Sequence, residues 1–213
     1  MILIIDDQPI ESTFFGEGKW LSEFITPGNL EIGNLYREIT MGAISQEERI
    51  KACWQWVASK VRYKSFIKGK LQIENRVSVQ HDLWCDPSIV ARIRVGNCAN
   101  KAFLLTSLLR NELPPDRVYC VLGNLYNGKA GGHAWTEVKL NDRNYISEST
   151  KSDVPPLVLA AKASRYEAVH YFNDQYAYAV EGRTVLVPFT ACYSEWLSSY
   201  LDWSYIKSQR DGV

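Results

Sequence analysis

The run Cys98-Ala-Asn-Lys-Ala-Phe-Leu-Leu-Thr-Ser-Leu-Leu-Arg110 constrains this chain more than any other segment. It is rich in helix formers, and Cys98, Ala102, Leu105 and Leu109 fall at i, i+4, i+7 and i+11, the spacing of one helical face. The run therefore reads as a buried helix whose first turn contains Cys98. A helix of this kind has to be covered by other elements, and the flanking sequence shows which ones.

Upstream, Ser45-Gln-Glu-Glu48 is a capping-box pattern, and Ile50, Cys53, Trp54, Val57 and Val61 follow at helical spacing, so a helix is expected over 46–61. Pro87 after Cys85-Asp86 suits the first turn of a short helix carrying Ile89, Val90 and Ile93. Downstream, Pro114-Pro115 ends the helical region and Arg117 to Gly123 reads as a strand. A Gly-rich loop is expected over Asn124 to Gly132. His133 to Leu140 and Asn144 to Ser147, joined by Asn141-Asp-Arg-Asn144, make a β-hairpin.

Val169 to Phe172, Tyr176 to Val180 and Thr184 to Val187 continue an antiparallel meander. A C-terminal helix carries Trp196, Tyr200 and Trp203 at i, i+4 and i+7. Helices first and then a meander give an α+β fold, with the Cys98 helix packed against an antiparallel sheet. The first residues, broken at Gly16, Gly18, Gly28 and Gly33, suggest short elements wrapped on the surface. The reading is one domain over 1–213, with an N-terminal surface extension (1–44), a core (45–150), and a part completing the sheet and adding the last helix (151–213).

At 213 residues the chain can build a core without disulfide or metal staples. Its 46% hydrophobic and 23% charged residues are those of an ordinary globular protein, which excludes disorder and membrane spanning as readings. Lys plus Arg equals Asp plus Glu at 24 each, so no electrostatic reason favours nucleic acid or an anionic membrane as partner. The apolar start Met-Ile-Leu-Ile-Ile is short, lacks a basic flank and runs into Asp6 and Asp7. It is expected to be a strand, and the protein to be cytoplasmic. Five widely spaced cysteines without a Cys-x-x-Cys or a matching His pattern imply reduced thiols, with no metal and no cofactor expected.

One of those thiols is placed for chemistry. A cysteine at a helix N-terminus faces unpaired N–H groups and the positive end of the helix dipole, both of which favour thiolate. Gly96 permits close backbone approach, and the Cys98 amide is suited to stabilise an oxyanion. An ordinary helix cysteine would instead be a small buried hydrophobe. His133 follows two glycines and shares a strand face with Trp135 and Glu137, so Trp135 should wall the imidazole and shape a substrate slot. The hairpin brings Glu148 about level with His133. A register slip of one residue would move it to the other face, leaving Asp153 or Asp142 as the carboxylate.

Val-Gly-Asn-Cys-Ala-Asn-Lys-Ala-Phe-Leu-Leu-Thr-Ser-Leu-Leu-Arg resembles the Gly-Asp-Cys-Glu-Asp-x-Ala-x-Leu-Leu-x-Ser-Leu-Leu-Arg segment of the transglutaminase-like superfamily. Gly-Gly-His-Ala-Trp-Thr-Glu-Val resembles that family's His-Ala-Trp-Val-Glu-Val strand, and Tyr-Ile-Ser-Glu-Ser-Thr its Trp-x-x-x-Asp-Pro-Thr strand. The resemblance covers roughly residues 46–150 in order and spacing. It departs at Asn97, where an acidic residue is common, at Tyr145 in place of Trp, and at Glu148 in place of Asp.

The resemblance implies a papain-like α+β core with Cys98 as nucleophile, His133 as general base and acid, and Glu148 as orienting carboxylate. The expected activity is thiol-dependent acyl transfer on a peptide or protein amide through a thioester, either as a protease or amidase or as a transglutaminase-type enzyme. The family often takes a second oxyanion donor from a Trp or Gln upstream of the nucleophile. Gln80, Trp84 and Trp54 are the candidates, with Gln80 favoured. His81 competes with His133 as base, and His170 reads as an ordinary strand residue. Two alternatives stand beside the enzyme: a non-catalytic peptide-binding module on the same fold, and a redox thiol pairing Cys98 with Cys120.

Overall fold

The computed structural model of the chain describes residues 2–5, 8–11, 21–63, 69–73, 76–80 and 84–181. Its elements in chain order are β1 (Ile2–Ile5), β2 (Gln8–Glu11), α1 (Leu30–Thr40), α2 (Gln46–Lys60), β3 (Arg62–Tyr63), β4 (Gly69–Ile73), β5 (Arg76–Gln80), α3 (Pro87–Ile93), β6 (Val95–Gly96), α4 (Cys98–Leu109), β7 (Val118–Asn127), β8 (Lys129–Leu140), β9 (Arg143–Ser147), β10 (Val158–Leu159), β11 (Tyr166–Phe172) and β12 (Ala177–Ala179). The fold is α+β. Four helices accompany a six-stranded antiparallel sheet of order β10-β9-β8-β7-β11-β12. The expected strand at Thr184–Val187 and the C-terminal helix lie outside the described residues.

α4 is enclosed on every side after its first residue: Ala99 through Leu109 are all buried. Its cover is α1, α2 and α3 on one flank and the inner face of the sheet on the other. Strand alternation splits the sheet residues into two sets. Val118, Cys120, Leu122, Ala134 and Val138 join the main core with α4. Val121, Trp135, Ile146 and Ala168 form a second apolar cluster on the outer face. Thr136, on the inner face, meets Thr106 of α4 at 3.1 Å and donates to the Ala102 carbonyl at 3.3 Å, pinning helix to sheet with fully buried polar groups.

α2 begins as its sequence demands. The Ser45 side chain accepts from the Glu48 amide, and Glu48 reaches back to the Ser45 amide, closing the capping box. Two expectations are corrected. Residues 124–132 are not a loop, because β7 runs on to Asn127 and β8 starts at Lys129, turning at Gly128 with φ 76°. A glycine needs no Cβ room at that φ, so the chain reverses at once and both strands lengthen. The surface extension is also revised over its described part. Phe24 is wholly buried, stacked on Phe103 and edge-on to Trp84, and Ile32 of α1 is wholly buried too. Gly28 precedes α1, but Gly33 lies inside that helix, and the apolar side chains of this stretch complete the main core.

Candidate active site

Cys98 is the first residue of α4, and the chemistry of that helix start is set by Asn97. The Asn97 side chain accepts from the Asn100 amide at 2.9 Å, and the Asn97 carbonyl takes the Lys101 amide. Helix geometry leaves the Cys98 and Ala99 amides without intrahelical acceptors, aimed at the space in front of the thiol. Asn in place of an acidic residue thus serves as the cap. Gly96 does allow a close approach, but to the protein itself: a Cβ there would sit 2.9 Å from Asn100 Cβ.

His133 reaches this thiol from β8 because the sheet opens beside it. β9 pairs with β8 only from Thr136↔Ser147 to Leu140↔Arg143, so no β9 residue lies alongside His133. That register is fixed by a two-residue turn in which Asn141 and Asp142 both have positive φ (47° and 58°), as a type I′ hairpin requires. Extended by one residue, it places Glu148 across from Trp135, on the face that His133 shares. The longer glutamate side chain spans the remaining offset, and His133 Nε2 lies 2.7 Å from Glu148 Oε2. The Cys98 thiol is the second group that acts on the imidazole, as a hydrogen-bonding and charged neighbour.

Both members of the pair are nearly out of water, at 8% exposed for His133 and 4% for Glu148. Burial alone would lower the imidazole pKa, but the hydrogen bonds and charges of Cys98 and Glu148 override it and raise it well above its ordinary value. Burial alone would raise the Glu148 carboxyl, yet His133 and the Thr150 hydrogen bonds hold it below the usual carboxylate range. Both shifts favour the charged forms of the pair over the neutral ones.

Several groups hold Glu148 in place, and sequence reasoning assigned none of them. Thr150 donates to Oε1 from its amide (2.8 Å) and its hydroxyl (2.7 Å). The Tyr166 hydroxyl donates to Oε2 at 3.0 Å, and Trp54 Nε1 of α2 donates to the Glu148 carbonyl at 2.7 Å. Thr150 had a local signal, since a polar residue two positions after a carboxylate can close a side-chain turn. Tyr166 had none, because strand pairing alone brings β11 here. Lys101, one turn along α4 from Cys98, is also buried, and its ammonium donates to the Ala58 and Val61 carbonyls at 3.3 and 2.7 Å. It ties α4 to the C-terminal end of α2, where carbonyls lack helical partners. Burial pulls this lysine down to about 8, against the pull of Glu148.

The remaining expected site residues separate. Trp135 stacks on the imidazole at 6.1 Å and 24° but is only 1% exposed, so it backs His133 from the interior and does not form a substrate slot. Its room comes from Gly123, where any Cβ would lie 2.6 Å from the indole and 2.1 Å from the Glu167 carbonyl oxygen. Trp84 is wholly buried against Phe24 and Phe103, which corrects its assignment to the pocket and places it in the core. Gln80 ends β5, and its side chain, like His81, lies outside the described residues. Asp142 is exposed at the hairpin turn beside Lys139, and Asp153 is exposed as well, so neither replaces Glu148. Cys120 is fully buried and its thiol is pushed well up by burial, a poor resolving partner for Cys98. Among the described residues, no three His, Cys, Asp or Glu side chains gather as a metal-holding cluster.

A family model described as the transglutaminase-like superfamily matches residues 33–148. No curated protein matches the chain. Among solved structures, LapG of Legionella pneumophila is similar at 15% identity and a TM-score of 0.49, over 71% of this chain and 77% of that one. An EGTA-treated form of the same protein gives 16%, 0.48, 70% and 74%. A structure described as a TGase gives 17% and 0.42, over 64% of this chain and 34% of that one.

Proposed function

The chain belongs to the transglutaminase-like superfamily, and from that premise we propose that it is a thiol-dependent acyl-transfer enzyme acting on a peptide or protein amide. Cys98 is the nucleophile, His133 the general base and acid, and Glu148 the carboxylate that orients it. The observation that carries this reading is the imidazole held between the helix-start thiol and a buried, fully hydrogen-bonded carboxylate.

In this reading the imidazolium and the helix start sustain a thiolate, which attacks the amide carbonyl carbon. The carbonyl oxygen gains the negative charge of the tetrahedral intermediate and is met by the free amides of the α4 first turn. As the C–N bond breaks, His133 gives its proton to the leaving amine, and a thioester on Cys98 remains. His133, now neutral, takes a proton from water or from an incoming amine. Attack on the thioester then frees the acid or a new amide, sulfur leaves as thiolate, and with the proton now on His133 the starting ion pair is restored. Glu148 stays ionised throughout and stabilises each imidazolium.

Alkylation of Cys98 by iodoacetamide, followed from about pH 4 to about pH 10, tests the arrangement. Reactivity that persists below about pH 7 and is lost in His133→Ala is the expected result. Alkylation that is indifferent to that mutation across the whole range overturns it. A glutamine peptide with a labelled amine then separates the two outcomes of the thioester: label in the peptide means transfer, release of amine or ammonia alone means hydrolysis.

A further inference from the structure

The outer face of the sheet carries a cavity of about 810 Å³ at the end of β8 away from the thiol. Its innermost charged residue is Glu137, which is 8% exposed. Glu137 accepts from Trp135 Nε1 at 3.1 Å and from the Tyr171 hydroxyl at 3.4 Å. Among the described residues no cation pairs with it, which is unusual for a carboxylate at this depth. The rim, by contrast, carries charges of both signs: Lys139 faces Asp142, and Asp116 and Arg143 also line it.

Three tyrosines stand beside that carboxylate. Tyr171 and Tyr178 are parallel, 5.1 Å apart at 13°, and Tyr119 is edge-on to both at 88° and 76°. Strand register builds this corner, since Tyr119 is directly opposite Glu137 and Tyr178 directly opposite Tyr171. Aromatic faces next to a buried anion attract a compact cation and its attached methylenes, and they give a neutral polar group no such reward.

We propose that this cavity is a second binding site, which takes an alkylammonium group, the side chain of a lysine in a polypeptide, against Glu137 and the tyrosine corner. The site is separate from the Cys98 thiol and does not depend on the acyl-transfer reading. It is nonetheless linked to His133 through one side chain, because the indole that donates to Glu137 is the one stacked on the imidazole.

The test is titration of the Cys98→Ala protein with Nα-acetyl-lysine N-methylamide, and with the isosteric norleucine amide as neutral control, followed by NMR. Saturable shifts on β7, β8 and β12 with the lysine probe alone are expected. Glu137→Gln should weaken binding at least tenfold, and Tyr178→Ala, which removes a half-exposed ring, about fivefold. Equal binding of the norleucine probe, no saturable binding of either, or lysine binding untouched by both substitutions overturns the proposal. Catalysis plays no part in the measurement, so its failure and that of the acyl-transfer reading are distinguishable.

Discussion

Two carboxylates anchor this molecule, and they use their hydrogen bonds differently. Glu112, just past α4, accepts from Arg49 Nε and Nη2 at 2.8 Å each, from Gln46 at 3.3 Å and from the Tyr36 hydroxyl. The remaining Arg49 nitrogen, Nη1, donates to the Ala43 and Ile44 carbonyls, and the result ties α1 and α2 to the end of α4. Glu148 is equally saturated, but its cationic partner is not confined to it, for His133 also interacts with the Cys98 thiol. A closed network holds elements together, whereas one with a group left over can move a proton. The difference lies in the cation: a guanidinium stays protonated, while an imidazole changes charge within reach of neutral pH.

Substitutions at each network test the contrast, and the largest effect belongs to the open one. Cys98→Ala should cut turnover of a susceptible amide about 10⁴-fold or more while thermal unfolding barely moves. A variant that keeps a tenth of wild-type activity would remove Cys98 from the chemistry.

Glu148→Gln should lower kcat by roughly 10²- to 10⁴-fold, with KM little changed. It should also displace the pH profile in a direction that the folded-state shifts fix. His133 is raised above 6.5, so its contribution is complete below 6.5 and is lost as pH rises through the higher folded value. Glu148 is depressed below 4.5, so its contribution is complete above 4.5 and is lost as pH falls through the lower folded value. Removing the carboxylate charge should bring the alkaline limb down by about one pH unit or more. An unmoved limb would mean that Glu148 only packs.

Glu112→Gln should do the reverse, sparing kcat and lowering stability by about 1–2 kcal/mol once solvent screening is allowed for. Its Arg49 hydrogen bonds, against a smaller effect of burial, hold Glu112 down at about 2 from 4.5. The wild type should therefore lose this contribution as pH falls from 4.5 toward 2, and the variant should not show that loss in urea melts. The smallest effect expected is that of Asn97→Ala, about 1 kcal/mol for the lost cap of α4, read as a drop in the melting temperature. Cys98 reactivity should fall with it, because the same helix start positions the thiol.

The sequence carried the local parts of this site well. A capping box, an apolar helical run and a hairpin turn are written in neighbouring residues, so α2, α4 and the β8–β9 pair were legible with Cys98, His133 and Glu148 upon them. The misreadings share a cause. Trp84 was expected in the pocket because the family often takes an oxyanion donor from an upstream Trp, and Trp135 because it shares a strand face with His133, yet how deeply a ring is buried depends on what covers it. Phe24, from a segment that reads as surface, covers Trp84, and Tyr166 of a distant strand packs edge-on to Trp135. The stretch 124–132 looked like a loop because its glycines suit turns, and strand pairing with β11 and within the hairpin overrode that preference.

By itself, then, the sequence determined the α+β class and the order of α2, α3, α4, β7, β8 and β9, and it singled out the thiol, imidazole and carboxylate as candidates, since each rests on spacing along one helix or one hairpin. Tertiary structure alone decided that Tyr166, Trp54 and Lys101 brace those residues, and that Glu137, on the strand face it shares with His133, meets a corner of tyrosines toward the other end of β8. Those contacts join residues far apart in the chain, and their geometry is set by sheet order and helix packing, which no local spacing encodes.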